Sequence, residues 1–187
     1  MTGLTLIPET DDQFRFFLAY GTPSNVTGRA IYAHSHCYLH PDAHEKLRIA
    51  AQIAASLGYT FLLWDAYRPP EAQQALWDMV PDPRFITPPE KGSPHSRGVA
   101  IDLTLCDKAG NELDMGTGFD DFTTRAFHTC REVSQEAQRN RLILLGIMTL
   151  AGWDFYENEW WHYQLFNART YPMIQDGTQG KPMMSQD

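Results

Sequence analysis

The chain has 187 residues, of which 43% are hydrophobic and 20% are charged, a length and composition typical of one globular domain spanning residues 1–187. Its formal net charge is −8 and it contains no basic run, which argues against a nucleic-acid partner held through the phosphate backbone. Because no apolar run is long enough to span a bilayer, we expect no membrane partner either.

Cysteine usage and the N-terminal residues bear on the cellular compartment. The chain has three widely spaced cysteines, Cys37, Cys106 and Cys130. Their odd number and wide spacing favour reduced thiols over a disulfide framework. The N-terminal stretch lacks the charged start, apolar centre and small-residue cleavage site of a signal peptide. We therefore expect a cytoplasmic protein; the alternative is a periplasmic protein whose signal peptide has been removed.

The first half of the chain predicts two helices around a buried strand. Residues 42–57 predict a helix with an alanine-rich face, and Asp42 with Glu45 resembles a capping box at its start. Residues 59–65 are almost all apolar and predict a central strand, and residues 70–79 predict a short helix. Residues 81–92 are rich in proline and predict a loop that forms a wall or a lid.

The second half predicts a strand, a loop, a helix and a hairpin. The strand covers residues 99–105, the loop 114–121, the helix 134–151 and the hairpin 153–165. The tail from Thr170 contains proline, glycine and glutamine, and we expect it to wrap loosely. Strands mixed with helices and closed by a hairpin predict an α+β fold, with a central antiparallel sheet flanked by helices.

Four histidines crowd residues 33–44, namely His34, His36, His40 and His44. His40 and His44 could meet at helical spacing only if the helix began early, and Pro41 disfavours that. We expect surface or capping roles for these histidines, with a second metal site as the less favoured alternative.

Three residues later in the chain predict a metal site of catalytic type. His95 precedes strand 99–105, Asp102 lies within the strand, and His162 follows in the final hairpin. A carboxylate in so apolar a strand is costly to bury unless it is paired or bound to metal, and Gly98 allows the tight turn that brings His95 near Asp102. Taken singly, His162 could be a core histidine and Asp102 a loop anchor. Together with His95, they provide three ligands and leave a fourth position open, which is typical of a catalytic zinc site.

Two further residues predict the chemistry of such a site. Glu159 is the free carboxylate that an activated water needs as its base. We expect it at the irregular start of the second hairpin strand, because on a regular strand it would point away from the face of His162. Arg68 follows strand 59–65 and is placed to stabilise an oxyanion, or to form a structural ion pair with Asp65 or Glu71.

These residues form a pattern that resembles a known family. Residues 93–102 read SPHSRGVAID and residues 159–162 read EWWH, a combination similar to the LAS-type zinc peptidases that act on cell-wall peptides. Residues 65–69 (DAYRP) and 115–120 (MGTGFD) narrow the resemblance to the D-alanyl-D-alanine dipeptidases of the vancomycin-resistance type. Further matching segments are residues 20–28 (YGTPSNVTG) and 137–141 (AQRNR). The resemblance covers most of the chain and implies the fold of hedgehog domains and D,D-peptidases.

The resemblance also implies an activity and its main residues. The activity is zinc-dependent hydrolysis of the D-Ala-D-Ala dipeptide, linked to peptidoglycan metabolism or to glycopeptide resistance. One zinc ion per chain would be bound by His95, Asp102 and His162. Glu159 would act as general base and then as general acid, and Arg68 would stabilise the oxyanion.

Three substrate-binding residues follow from the same resemblance. Asp120 would hold the free amino group of the dipeptide, and Ser93 and Tyr20 would line the site. Asp120 has a local alternative, since together with Gly118 it could merely cap a turn. The expected partner is thus a small dipeptide, and the sequence also allows a homo-oligomer.

Other functions fit parts of the pattern. A D,D-carboxypeptidase or endopeptidase would use the same metal centre with a cleft open to longer peptides. A binding module of the same fold would keep the zinc but would need neither Glu159 nor Arg68. A protein that uses zinc only for stability would close the site with a fourth ligand.

Overall fold

Three α-helices and seven strands form the regular part of this protein in a computed structural model that describes residues 3–178 and 180–184. The helices are α1 (Pro41–Ser56), α2 (Pro70–Met79) and α3 (Gln135–Leu150). The strands are β1 (Thr5–Ile7), β2 (Phe14–Phe16), β3 (Cys37–Leu39), β4 (Thr60–Asp65), β5 (Ala100–Cys106), β6 (Asp154–Phe155) and β7 (His162–Gln164).

The central sheet has five strands in the order β2-β4-β5-β7-β6. The pairs β4–β5, β5–β7 and β6–β7 are antiparallel, whereas the edge strand β2 runs parallel to β4. β1 and β3 form a separate antiparallel pair. The predicted α+β fold with a largely antiparallel central sheet is thus confirmed, with one parallel edge that the sequence analysis did not predict.

Strand β5 lies at the middle of the sheet, and all seven of its residues are buried. Asp102 on β5 stands opposite Asp65 of β4 on one side and His162 of β7 on the other. The register between β4 and β5 shifts between Leu63 and Asp65. Cross-strand neighbours project from the same face of a sheet, so this register brings three polar side chains into one row across an apolar sheet.

Helix α1 starts at a different cap from the predicted one. The ring of His40 accepts a hydrogen bond from the Asp42 backbone N–H at 3.2 Å, and Pro41 occupies the first helical position. Proline suits that position because the N–H it lacks would have no intrahelical partner there. The predicted capping box of Asp42 with Glu45 is therefore wrong, whereas the capping role expected among the histidines is confirmed for His40.

The predicted ends of the other elements agree closely with the structure. Ser134 caps α3 by accepting a hydrogen bond from the Ala137 N–H at 2.9 Å, and Gly152 ends the helix with a φ of 90°. α2 has the predicted bounds. Helices α1 and α3 pack against each other, and α1 also packs on β4. That residues 1–187 form a single domain stays a prediction.

The C-terminal tail packs closely on the rest of the protein, so the expectation of a loosely wrapped tail was wrong. The Ile174 N–H donates to the Ser96 carbonyl at 2.9 Å, and the Tyr67 hydroxyl donates to the Ile174 carbonyl at 2.9 Å. The Arg97 guanidinium donates to the Tyr171 carbonyl. Met183 is buried, and its carbonyl accepts from two backbone N–H groups of residues 33 and 34. The tail thus supports the turn that carries His95.

Cys37, Cys106 and Cys130 are free thiols. Within residues 3–178 and 180–184, no helix combines the length and the apolar character that crossing a bilayer requires.

Candidate metal centre and active site

The three predicted metal ligands converge at the row across the sheet. His95 Nε2 lies 3.1 Å from His162 Nδ1. The Asp102 carboxylate lies between the two rings, with Oδ1 3.0 Å from His162 Nδ1 and Oδ2 3.3 Å from His95 Nε2. A tetrahedral ion with ligand bonds of about 2.0–2.1 Å requires its ligand atoms to be about 3.3–3.4 Å apart. The observed distances fit a small tetrahedral cation such as zinc after only slight adjustment.

Both histidines are held in the tautomer that a metal ligand needs. His95 Nδ1 lies 2.7 Å from the Ala66 carbonyl, which can only accept, so this nitrogen carries the proton and Nε2 presents its lone pair. His162 Nε2 lies 3.2 Å from Gln164 Oε1, which leaves Nδ1 free to bind. Such outer partners orient ligand rings and raise their basicity.

Asp102 is ionised in this setting. Burial disfavours its charged form, but the electrostatic interactions and hydrogen bonds with His95 and His162 outweigh burial and hold the pKa of Asp102 well below its usual range. An ionised carboxylate with two neutral imidazoles leaves a bound divalent cation with one net positive charge, which suits activation of water.

The turn before β5 places His95 and depends on Gly98. Residues His95–Arg97 form a 3-10 turn that ends at Gly98 with a φ of 67°, in the left-handed region. A Cβ at Gly98 would lie 3.1 Å from the His40 backbone nitrogen. The tight turn predicted at this glycine is therefore present, and a neighbouring strand end closes over it.

Glu159 lies in the turn of the final hairpin, just before β7, rather than at the start of the strand itself. Its N–H donates to the Tyr156 carbonyl at 3.2 Å, and its carbonyl accepts from the His162 N–H at 3.2 Å. This turn brings Glu159 Oε2 to 3.9 Å from His162 Nδ1, whereas the group of described side chains placed to share one ion consists of His95, Asp102 and His162. Burial, together with the negative charges of Asp102 and Asp120, raises the pKa of Glu159 well above its ordinary value.

Arg68 is buried and held by three acceptors. Its Nε donates to Asp65 Oδ2 at 2.8 Å, Nη1 to Gln73 Oε1 at 3.0 Å and Nη2 to Asp102 Oδ2 at 3.3 Å. The ion pair considered from the sequence thus forms with Asp65 and not with Glu71. A guanidinium has five N–H groups, so two remain for a ligand, and the Tyr20 ring lies beneath it at 4.9 Å.

Asp120 has an unusual backbone and an unpaired oxygen. Its φ is 59°, a left-handed conformation that few residues other than glycine adopt. Oδ1 accepts from the Tyr20 hydroxyl at 3.0 Å, while Oδ2 is buried with no hydrogen-bond partner among the described residues. Burial, with a contribution from the charge of Asp102, raises the pKa of Asp120 to about 7. An orphan carboxylate oxygen of this kind is suited to receive a cationic group.

Ser93 supports the ligand turn. Its Oγ accepts a hydrogen bond from the His95 N–H at 3.2 Å, and the side chain is buried.

One cavity of about 540 Å³ is lined by all eight of the predicted site residues. These are Tyr20, Arg68, Ser93, His95, Asp102, Asp120, Glu159 and His162. The loop predicted over residues 81–92 forms a wall of this cavity, through residues that include Phe85, Ile86 and Pro88. The wall is tied to Arg68 because Gln73, which binds the guanidinium, also donates to the Thr87 carbonyl at 2.7 Å.

Sequence reasoning missed two residues that support this site. Gln164 lies two positions after His162, so the two share a face of β7, and this spacing was a signal that could have identified it. Gln73 lies on α2 without any comparable signal.

Among the histidines of residues 33–44, none joins a cluster that could hold a metal; across the described residues, only His95, Asp102 and His162 form such a group.

Comparisons with known proteins show which proteins this chain resembles. The model of peptidase family M15, described as D-Ala-D-Ala dipeptidase, matches residues 3–177. The D-alanyl-D-alanine dipeptidase of Escherichia coli K12 is 46% identical over 159 residues, which cover 85% of this chain and 82% of that protein. The D-alanyl-D-alanine dipeptidase of Enterococcus faecium is 34% identical over 184 residues, which cover 87% of this chain and 91% of that protein. The solved L-Ala D-Glu endopeptidase ChiX of Serratia marcescens is 14% identical with a TM-score of 0.45, over 87% of this chain and 98% of its own, too loose a likeness to support an argument.

Proposed function

The chain belongs to peptidase family M15 as a dipeptidase of the D-Ala-D-Ala type, and we propose that it hydrolyses the D-Ala-D-Ala dipeptide to two D-alanines in the cavity described above. The observation that carries this proposal is the convergence of three metal ligands, a free carboxylate and a buried guanidinium on one cavity. A metal site with a purely structural role would need neither the free carboxylate nor the buried guanidinium.

The proposed cofactor is one zinc ion per chain, held by His95, Asp102 and His162. The distances between their ligand atoms, the two fixed tautomers and the ionised carboxylate all support this assignment. When bound, zinc supplies a Lewis acid that makes a water molecule nucleophilic near neutral pH.

The residues of the chain supply the proton transfers and the charge stabilisation. Glu159 takes the proton from the attacking water and returns it to the leaving amine as the peptide bond breaks. The raised pKa of Glu159 suits a group that must hold this proton between the two steps. Arg68 donates its remaining N–H groups to the oxygen on which negative charge develops, and its three fixed contacts hold the guanidinium in place beforehand.

The substrate-binding residues hold the amino end of the dipeptide. Asp120 Oδ2 receives the substrate ammonium, which gives this buried oxygen the partner it otherwise lacks. The Tyr20 hydroxyl holds the other carboxylate oxygen and so fixes the orientation of Asp120. Ser93 lines the site beside His95.

Hydrolysis of purified dipeptides tests this function. The zinc-loaded protein should release free D-alanine from D-Ala-D-Ala, and release should stop when a chelator removes the metal. His95→Ala should lose zinc, which elemental analysis would detect. N-acetyl-D-Ala-D-Ala, which has no ammonium, should be a poor substrate for wild type. If the acetylated peptide were cleaved equally well, the activity would be that of a D,D-carboxypeptidase instead.

We propose the cytoplasm as the compartment of this enzyme. Three free cysteines without a disulfide fit a reducing environment. Fractionation of the source cells would check the assignment, and recovery of the activity from a periplasmic extract would contradict it.

A further inference from the structure

The lining of the cavity carries side chains of both charges, and two of the basic ones have not been given a function. Besides the metal ligands, its charged lining comprises Asp120, Glu159, Arg68, Lys91 and Arg169. Arg68 is paired with the buried carboxylates of Asp65 and Asp102, and its two remaining N–H groups already have a role at the developing oxyanion. Lys91 and Arg169 are exposed, and the described part of the chain offers neither side chain a hydrogen bond or an ion pair.

Lys91 and Arg169 lie on two segments that contact each other. Lys91 ends the short 3-10 turn Pro89–Lys91, and Arg169 lies in a second such turn, Ala168–Thr170. The two segments pack together, since a Cβ on Gly92 would lie 2.7 Å from Met173 Sδ. The two cations are therefore carried by neighbouring segments.

The carboxylate of Asp120 is held by another part of the chain. Asp120 is held by the Tyr20 hydroxyl, and the adjacent Phe119 ring packs on Tyr20 at 5.7 Å between centroids. Lys91 lies four residues before His95 in sequence, and Arg169 lies seven residues after His162. The segments that carry the two histidine ligands thus also carry the two cations, whereas Asp120 comes from a separate loop.

This arrangement matches the charges of a free dipeptide. In a zwitterionic dipeptide the ammonium and the carboxylate lie on either side of the peptide bond, about 7 Å apart at full extension. With the ammonium on Asp120 and the peptide bond at the metal centre, the carboxylate lies on the side of the peptide bond away from Asp120, and Lys91 and Arg169 are the cations of the cavity that have no partner among the described residues. We propose that Lys91 and Arg169 form an anion-recognition end that selects substrates with a free C-terminal carboxylate. This inference rests on the proposed dipeptidase activity.

The test compares two substrates that differ only at the carboxylate. D-Alanyl-D-alaninamide keeps the ammonium and the scissile bond of D-Ala-D-Ala but has no negative charge. Wild type should have a higher kcat/KM for the acid than for the amide. Changing both Lys91→Gln and Arg169→Gln should lower kcat/KM for the acid about tenfold, because two exposed ion pairs with the substrate carboxylate are lost. The value for the amide should change by less than about twofold.

A matched pair of substitutions controls for net charge. Arg131→Gln with Arg139→Gln also removes two positive charges, taking the formal net charge from −8 to −10, at exposed positions outside the cavity lining. This control should leave the acid-to-amide ratio, that is, kcat/KM for the acid divided by kcat/KM for the amide, unchanged. Binding can be measured without turnover in a Glu159→Ala background. There, calorimetry should show that the Lys91/Arg169 double substitution weakens binding of the acid by the same factor and does not weaken binding of the amide.

The outcomes separate this inference from the proposed function. An acid-to-amide ratio that stays the same in the Lys91/Arg169 double variant, or that falls equally in the Arg131/Arg139 control, refutes carboxylate recognition and leaves the dipeptidase activity standing. Failure of zinc-loaded wild type to cleave either substrate overturns the dipeptidase activity, and this inference with it.

Discussion

Replacing Gln164 by leucine should weaken zinc binding although Gln164 is not itself a ligand. Its Oε1 is the acceptor for His162 Nε2 at 3.2 Å and so fixes which nitrogen of that ring faces the metal. Leucine fills a similar volume but cannot accept, which leaves the ring free to change tautomer or to rotate. Loss of an outer partner of this kind costs about 10- to 100-fold in metal affinity, or about 1.4 to 2.8 kcal/mol.

A competition titration against a chromophoric zinc chelator measures this effect directly. Gln164→Glu is the matched control, because it keeps an acceptor at the same distance and adds a negative charge, so its affinity should equal or exceed that of wild type. If Gln164→Leu bound zinc within twofold of wild type, the proposed role of the hydrogen bond would be refuted. If the glutamate variant were as weak as the leucine variant, packing rather than the acceptor would explain the loss.

Four further outcomes follow from the same geometry. Glu159→Ala should keep its zinc and lose turnover by about 10²–10⁴-fold, the usual contribution of a general base, and retained activity above a tenth would remove Glu159 from that role. Arg68→Lys should lower kcat more than it raises KM, because an ammonium cannot copy the planar contacts to Asp65 and Gln73; a change in KM alone would make Arg68 a ground-state binder. In the metal-free protein, Asp120→Asn should be more stable than wild type above pH 7. Because the pKa of Asp120 is raised in the folded protein, its ionisation destabilises wild type as pH rises from about 4 to about 7. Denaturant titrations that gave the same difference in unfolding free energy between variant and wild type at pH 5 and at pH 8 would contradict this. Gly98→Ala should lower stability by about 1–2 kcal/mol, or the melting temperature by about 3–6 °C, and an unchanged melting temperature would mean that the left-handed turn is not strained by a side chain.

Long periodic segments were predictable from the sequence because their signals are local. The apolar run before Asp65 and the proline at position 70 mark a buried strand and a helix start, and both elements lie where they were predicted. The clustering of the three candidate metal ligands was predictable for a different reason. A carboxylate at position 102 of so apolar a strand needs a partner, and the histidines on either side of it in sequence offer one.

Short elements and long-range contacts were not predictable in this way. β1, β2 and β3 have three residues each, too few to show an alternation, and their pairing depends on partners far along the chain. The start of α1 was missed because Pro41 restricts the residue before it but suits the first helical position itself. The tail was misjudged because its backbone hydrogen bonds with Ser96 and Ala33 cannot be read from its composition.

The position of β7 in the sheet has a consequence for how the enzyme is made. β7 pairs with β5 on the side away from β4, yet it is synthesised more than fifty residues later. Until the ribosome has produced the final hairpin, a nascent chain presents one unpaired edge of β5, the central strand of the sheet, and such edges invite pairing between chains. Glu159 and His162 arrive with the strand that covers this edge. Protection from aggregation and assembly of the catalytic centre therefore come at the same late moment of biosynthesis, and shortened products that end before the hairpin should be both inactive and insoluble.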